Sequence, residues 1–130
     1  MRSRLDHALR DEGRHHALWR LYHELLRLRR AQPSIADVGR RLGMEVTSDD
    51  ERRLLAVHRW TEQEDTWLVM NYSDVAAMWP LPAPAGSWTL LLNSAASTWM
   101  GPGEAALRFA ESVEWPAHAA VLAVRPRSRP

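Results

Sequence analysis

The chain has 130 residues, 45% hydrophobic and 25% charged, which is the composition of one ordinary globular domain with its own core. It contains no cysteine, so disulfide bonds, thiol chemistry and metal sites that need sulfur are excluded. No apolar run approaches the roughly 18 residues of a membrane span, and residues 1–6 lack the apolar centre of a signal peptide. A cytoplasmic protein without a membrane partner is therefore expected.

The net charge of +1 is unevenly distributed, and all 17 basic residues are arginines. Residues 1–30 carry eight Arg and four acids, residues 31–124 carry six Arg and twelve acids, and residues 125–130 carry three Arg. The absence of lysine is interpreted as GC-rich coding bias rather than as phosphate binding. Because the arginines form no single basic stripe, we expect no nucleic-acid partner.

The first predicted element is an amphipathic helix from His15 to Gln32. Its apolar residues follow the i, i+3, i+4, i+7 spacing of one helix face, and two more widen that face. They are Leu18, Leu21, Tyr22, Leu25 and Leu28, widened by Trp19 and Leu26. Arg29 and Arg30 suit the negative end of the helix dipole, and Pro33 is expected to end the helix.

Short apolar runs follow Pro33 and predict strands. Residues 52–60 and 66–74 predict an antiparallel hairpin around an acidic, solvated turn, Glu62 to Asp65. Residues 76–82 predict an edge strand because of their prolines, and residues 87–95 and 117–125 predict two further strands. Weaker strands are predicted over 44–47, 107–110 and 113–115. The fold class is therefore mainly β: an antiparallel β-sandwich of Greek-key type with about seven or eight strands, preceded by one amphipathic α-helix.

The sequence contains no recognisable catalytic motif. Paired carboxylates for glycoside hydrolysis are held across a cleft at roughly 5 to 10 Å, whereas the runs 49–51 and 62–65 place acids in polar turns. Ser73, Ser94 and Ser97 have no nearby histidine and acid in a nucleophile motif. His16 and His23 lack the i, i+4 spacing of helical metal pairs, so no metal and no cofactor is expected.

Several stretches resemble maltooligosyltrehalose trehalohydrolases, which belong to the α-amylase superfamily, glycoside hydrolase family 13. "RSRLDHALRDEGRHHALWRLYHELLRLRRAQPSI" (2–35) is similar to the segment that ends their catalytic barrel. "RRLLAVHRW" (52–60), "NYSD" (71–74), "WTLLLNSAASTWMGPGE" (88–104) and "WPAHAAVLAV" (115–124) are similar to their C-terminal β-domain. Essentially the whole chain is covered by the resemblance.

The resemblance implies residues 1–35 as the end of the catalytic barrel and residues 36–130 as a C-terminal β-sandwich domain. Trehalohydrolases cleave an α-1,4 bond of maltooligosyltrehalose and release trehalose, using barrel acids that would precede this chain. It therefore implies a non-catalytic module of a split or truncated enzyme, which stabilises a barrel supplied in cis or by a separate chain. The barrel or partner interface is expected at Leu18, Trp19, Tyr22, Leu25 and Leu26.

The alternative is a free-standing module that binds α-glucan or maltooligosyltrehalose. Indole rings stack on sugar faces, so Trp79 and Trp99 would form the carbohydrate-binding platform, whereas Trp60, Trp67 and Trp88 are expected to pack inside the sandwich. Without its barrel, the apolar helix face predicts self-association into a homo-oligomer or binding of a separate barrel chain.

Overall fold

The structure is a computed structural model that describes residues 7–36, 39, 42–80, 87–103, 107, 109 and 112–127. It begins with a 3₁₀ turn, His7–Asp11, followed by helix α1 (Gly13–Ala31) and the single turn α2 (Pro33–Ala36). The predicted helix is thus confirmed, although it begins two residues earlier and ends one residue earlier than expected. Gln32 is extended, with φ −96° and ψ 111°, because the residue before a proline disfavours the helical conformation.

The described residues contain seven strands in two antiparallel sheets. The strands are β1 (Gly43–Asp49), β2 (Leu54–Trp60), β3 (Glu64–Asn71), β4 (Ala77–Pro80), β5 (Thr89–Asn93), β6 (Ser112–Trp115) and β7 (Ala119–Pro126). One sheet has the order β1-β2-β3-β7-β5, and β4 pairs with β6 in the second sheet. The predicted mainly β fold, its helix and the hairpin of β2 and β3 are confirmed.

One face of the five-stranded sheet packs against the two-stranded sheet. The register places Ala56, Val69 and Val121 side by side across β2, β3 and β7, and all three are buried. Trp79 from β4 and Trp115 from β6 complete this core from the opposite sheet. Because side chains alternate along a strand, the intervening residues point to the other face of the large sheet.

Helix α1 covers part of that other face. Leu28 packs there against Leu92 and Leu122, with Leu21 and Ile35 at the margin. In β5 the register shifts between Leu90 and Leu92, a bulge that allows consecutive residues to face the helix. The molecule therefore has three layers: helix, five-stranded sheet and two-stranded sheet.

Two sequence-based expectations differ from the structure. The turn between β2 and β3 is confined to residues 61–63, so Glu64 and Asp65 belong to β3 rather than to a solvated turn. Leu107 and Phe109 carry no strand assignment but pack against the sandwich core, while residues 108 and 110 lie outside the described residues. No described helix combines the length and hydropathy that crossing a bilayer would require.

Candidate functional site

The most exposed apolar surface of the helix lies beside the side that packs on the sheet. Its five residues, 40% to 61% exposed, are Leu18, Trp19, Tyr22, Leu25 and Leu26, the set predicted as a partner interface. We call this surface the outer face of α1. The side of the helix that packs on the sheet carries buried Ala17 and Leu28, so one helix presents apolar residues to both the sheet and the solvent.

The sheet contributes further exposed apolar residues beside the helix. Met44 and Val46 of β1 are 48% and 54% exposed and pair with Arg59 and Val57 of β2. Strand alternation places them on the face of the sheet that α1 covers only in part. Sequence reasoning missed this margin, although apolar residues two apart in β1 were a signal for it.

A cleft of about 200 Å³ lies between α1 and the sheet. Its lining is mainly apolar and joins the outer face of α1 to the sheet through Leu25 and Val57. Two arginines, Arg29 of α1 and Arg59 of β2, also line it. We call this the helix–sheet cleft.

The tryptophans occupy different environments. Trp67 is 2% exposed, and Trp60 and Trp88 are half-buried, which is the packing expected of them. Trp79 is only 9% exposed and lies in the sandwich core, where its backbone oxygen accepts a hydrogen bond from Trp115 Nε1 at 3.3 Å. Trp99 is half-buried against the cluster beneath α1. The two predicted platform residues thus belong to clusters on opposite faces of the large sheet.

Arg20 further covers Trp99. Its guanidinium carbon lies 5.8 Å from the centroid of the Trp99 ring, within the range of a cation–π contact. Trp99 follows β5 in a 3₁₀ turn, Ser97–Trp99, which is closed by Met100 in the left-handed conformation at φ 60°. The loop therefore packs against α1 through Trp99.

A polar contact anchors the end of the helical segment to β3. Glu64 Oε1 accepts hydrogen bonds from the backbone N–H of Ser34 at 3.0 Å and from its hydroxyl at 2.7 Å. Ser34 Oγ also lies 3.0 Å from Thr66 Oγ1, and the Ser34 side chain is buried. These bonds tie the segment predicted to end a barrel to the β-domain.

Asp65 is the centre of a buried charge cluster, which corrects the expectation of a solvated acid. Its carboxylate lies 2.9 Å from His58 Nε2, 2.6 Å from Arg125 and 3.4 Å from Arg127 Nε, and its side chain is fully buried. His58 in turn stacks on Trp67, with ring centroids 4.7 Å apart and planes within 3°. The cluster joins β2, β3 and β7 at one end of the sheet.

Burial opposes ionisation of Asp65, but the hydrogen bonds from Arg125 and His58 and the charge of Arg127 outweigh it. The pKa of Asp65 is therefore held below its ordinary value. A carboxylate with this pKa is a fixed anion rather than a general acid, so the cluster has a structural character.

Within the described residues, no group of three or more histidine and carboxylate side chains is placed to hold a metal ion. His16 and His23 instead flank Trp19, with ring centroids 6.3 Å and 5.6 Å from it. Ser73 and Ser94 accept hydrogen bonds from the backbone N–H groups of Val75 and Ala120, at 3.2 Å and 2.8 Å. Both hydroxyls are thus engaged in turn and strand-end contacts.

No protein-family model matches the chain, and no curated protein is significantly similar to it in sequence. Solved structures are more informative. The fold matches part of MutB. One crystal structure is of a Phe-to-Leu mutant of MutB from crystals soaked with trehalulose, with a TM-score of 0.61, and another is of a Glu-to-Gln mutant in complex with the substrate sucrose, with a TM-score of 0.60.

Both similarities have 18% sequence identity and cover 83% of this chain but 18% of the MutB chain. The chain thus spans about a fifth of the length of these structures, and the likeness is one of fold.

Proposed function

We propose that this chain is the non-catalytic C-terminal β-domain of a maltooligosyltrehalose trehalohydrolase-like glycoside hydrolase, in which it stabilises the catalytic barrel. The observation that carries the proposal is the outer face of α1, where five large apolar side chains lie on the solvent side of a helix that is already anchored to its own sheet. Contiguous exposed apolar surface of this kind is characteristic of a binding face.

Three further observations support the barrel as the partner. The segment 2–35 resembles the end of a trehalohydrolase barrel. The fold of the chain matches a small part of the much longer MutB, one structure of which holds the substrate sucrose. The outer face of α1 also continues over Leu25 into the helix–sheet cleft, so the exposed apolar surface is not confined to the helix.

The direct test is capture of a barrel by the intact chain. A maltooligosyltrehalose trehalohydrolase truncated before the segment that resembles residues 2–35 is the probe, and we expect the immobilised chain to retain it. Tyr22→Ser on the outer face should weaken capture, whereas Arg14→Ser at the exposed start of α1 should not. Failure of the wild-type chain to retain the barrel would contradict the proposal.

The chain alone is expected to release no trehalose from maltooligosyltrehalose, because the acids that cleave the bond belong to the barrel. Trehalose production by the purified chain, at a rate proportional to its concentration, would show that it holds a catalytic site of its own.

The glucan-binding alternative requires Trp79 and Trp99 to meet sugar faces. The core position of Trp79 and the Arg20 side chain over Trp99 favour packing roles for both. Retention of the chain on an immobilised α-glucan, lost in the double Ala variant of these residues but kept in Trp19→Ala, would favour the alternative.

A further inference from the structure

The helix–sheet cleft contains two cationic groups that have no anionic partner among the described residues. Arg59 Nε is buried and has no hydrogen-bond acceptor in the part of the chain that the structure describes. Arg29 lines the same cleft from the helix. No ion pair joins either arginine to a carboxylate among the described residues, although five other arginine–carboxylate pairs occur there.

Glu64, a carboxylate on this face of the sheet, is already engaged. Glu64 Oε1 accepts two hydrogen bonds from Ser34, which holds it against α2 rather than against the arginines. A buried donor that is left without an acceptor destabilises the structure, and two like charges lining one apolar cleft repel each other. An anion placed between them would relieve both effects.

The remaining lining restricts what that anion can be attached to. Leu25, Leu28, Val57, Leu68 and Leu92 make the cleft apolar, and its volume of about 200 Å³ accommodates one or two side chains rather than a folded segment. The cleft is thus complementary to a carboxylate carried on an apolar stem.

We propose that the helix–sheet cleft receives an apolar segment of the catalytic barrel that carries a carboxylate, and that this carboxylate pairs with Arg59 and Arg29. The inference rests on the proposed function, because the barrel is the partner. The outer face of α1 supplies apolar contact area for the barrel segment. The two arginines determine where its acidic residue binds in the cleft.

The chemistry of the cleft can be tested on the intact chain without a barrel, using octanoate as the probe. Octanoate should raise the melting temperature, whereas octanol, which has the same stem and no charge, should not. Arg59→Met, which keeps the apolar length of the side chain, should weaken octanoate binding about tenfold or more, while Arg59→Lys should weaken it less. Arg14→Met is the matched control and should bind as the wild type does. Equal stabilisation by octanol, or unchanged affinity in Arg59→Met, would overturn the assignment of a carboxylate site.

The source of the carboxylate is tested by capture of the truncated trehalohydrolase barrel. We expect Arg59→Met to lower the affinity for the barrel about tenfold or more, with Arg14→Met unchanged. Equal capture by the wild type and Arg59→Met would overturn this inference and leave the proposed function standing. If no form of the chain captured the barrel, the proposed function would be overturned. The barrel would then also be excluded as the occupant of the cleft.

Discussion

Asp65 illustrates how a single residue can hold together strands that are distant in sequence. Its carboxylate is hydrogen-bonded to His58 of β2 and to Arg125 of β7. Arg125 is 60 residues away from Asp65 along the chain. The rings of His58 and Trp67 stack beside it, and Arg125 lies over Trp88, with 5.3 Å between the guanidinium carbon and the ring centroid. The cluster therefore combines charge pairing with aromatic packing at one end of the sheet.

Asp65→Asn should lower the free energy of unfolding by about 3 kcal/mol, because removing one member of a buried charged cluster leaves its partners uncompensated. Asp50→Asn, in the exposed turn before β2, is the control and should change stability little. Chemical denaturation of the two variants measures the difference. Equal stability of both variants would show that the Asp65 cluster contributes nothing net.

The depressed pKa of Asp65 predicts the direction of a pH effect. A carboxyl group whose pKa is lower in the folded state contributes stability that is fully present above its unfolded pKa of about 4 and is lost as the pH falls through the folded value. The difference in melting temperature between the wild type and Asp65→Asn should therefore be constant from pH 7 to about pH 4 and shrink below it. A difference that grew on acidification would contradict the lowered pKa.

At the scale of elements, α1 has two apolar sides with different roles. The inner side reaches Leu92, Leu122 and Trp99 of the sheet layer, and the outer side meets solvent. Two tryptophans are divided between these sides: Trp99 packs beneath the helix, and Trp19 of the helix itself is 49% exposed. The same substitution made at each position thus separates support of the helix from the barrel binding proposed for its outer face.

Trp99→Ala should lower the free energy of unfolding by about 2 kcal/mol, since a half-buried indole is removed from the cluster beneath α1. Trp19→Ala should change the stability of the isolated chain by less than about 0.5 kcal/mol. Barrel capture should show the reverse order, with the larger loss for Trp19→Ala. If Trp19→Ala were the more destabilising variant in the isolated chain, the assignment of inner and outer sides would be wrong.

Considered as a whole molecule, the domain exposes apolar surface that a monomeric protein in water would normally bury. The outer face of α1, the cleft beside it and the margin formed by Met44 and Val46 lie on the same side of the three-layer fold. In the absence of a barrel, association of two chains through this side would remove apolar area from water.

The isolated chain should therefore self-associate at high micromolar concentration and bind a hydrophobic dye. Leu26→Glu places a charge on the outer face and should reduce both effects, whereas Leu9→Glu, an exposed apolar residue outside α1, should leave them unchanged. Sedimentation and dye fluorescence provide the measurements. A wild-type chain that remains monomeric and binds no dye would contradict the role assigned to the outer face.

Helix α1 and most of the strands could be predicted from the sequence, because helical and strand periodicities are local properties of the chain. The spacing predicted an amphipathic helix, and the resemblance to a barrel helix added the expectation of an interface at Leu18, Trp19, Tyr22, Leu25 and Leu26. These five are the large apolar residues that α1 exposes. The hairpin of β2 and β3 followed in the same way from two short apolar runs.

Only the tertiary structure decided the environments of Asp65, Trp79, Trp99 and Arg59. Asp65 looked solvated because its neighbours in sequence are polar, yet β7 brings Arg125 beside it. Trp79 is buried because β4 pairs with β6, more than 30 residues later, and Trp99 is covered by a helix that lies at the other end of the chain. The register between distant strands, and the side of the sheet on which the helix docks, fix burial and charge pairing, and neither is encoded in a local pattern.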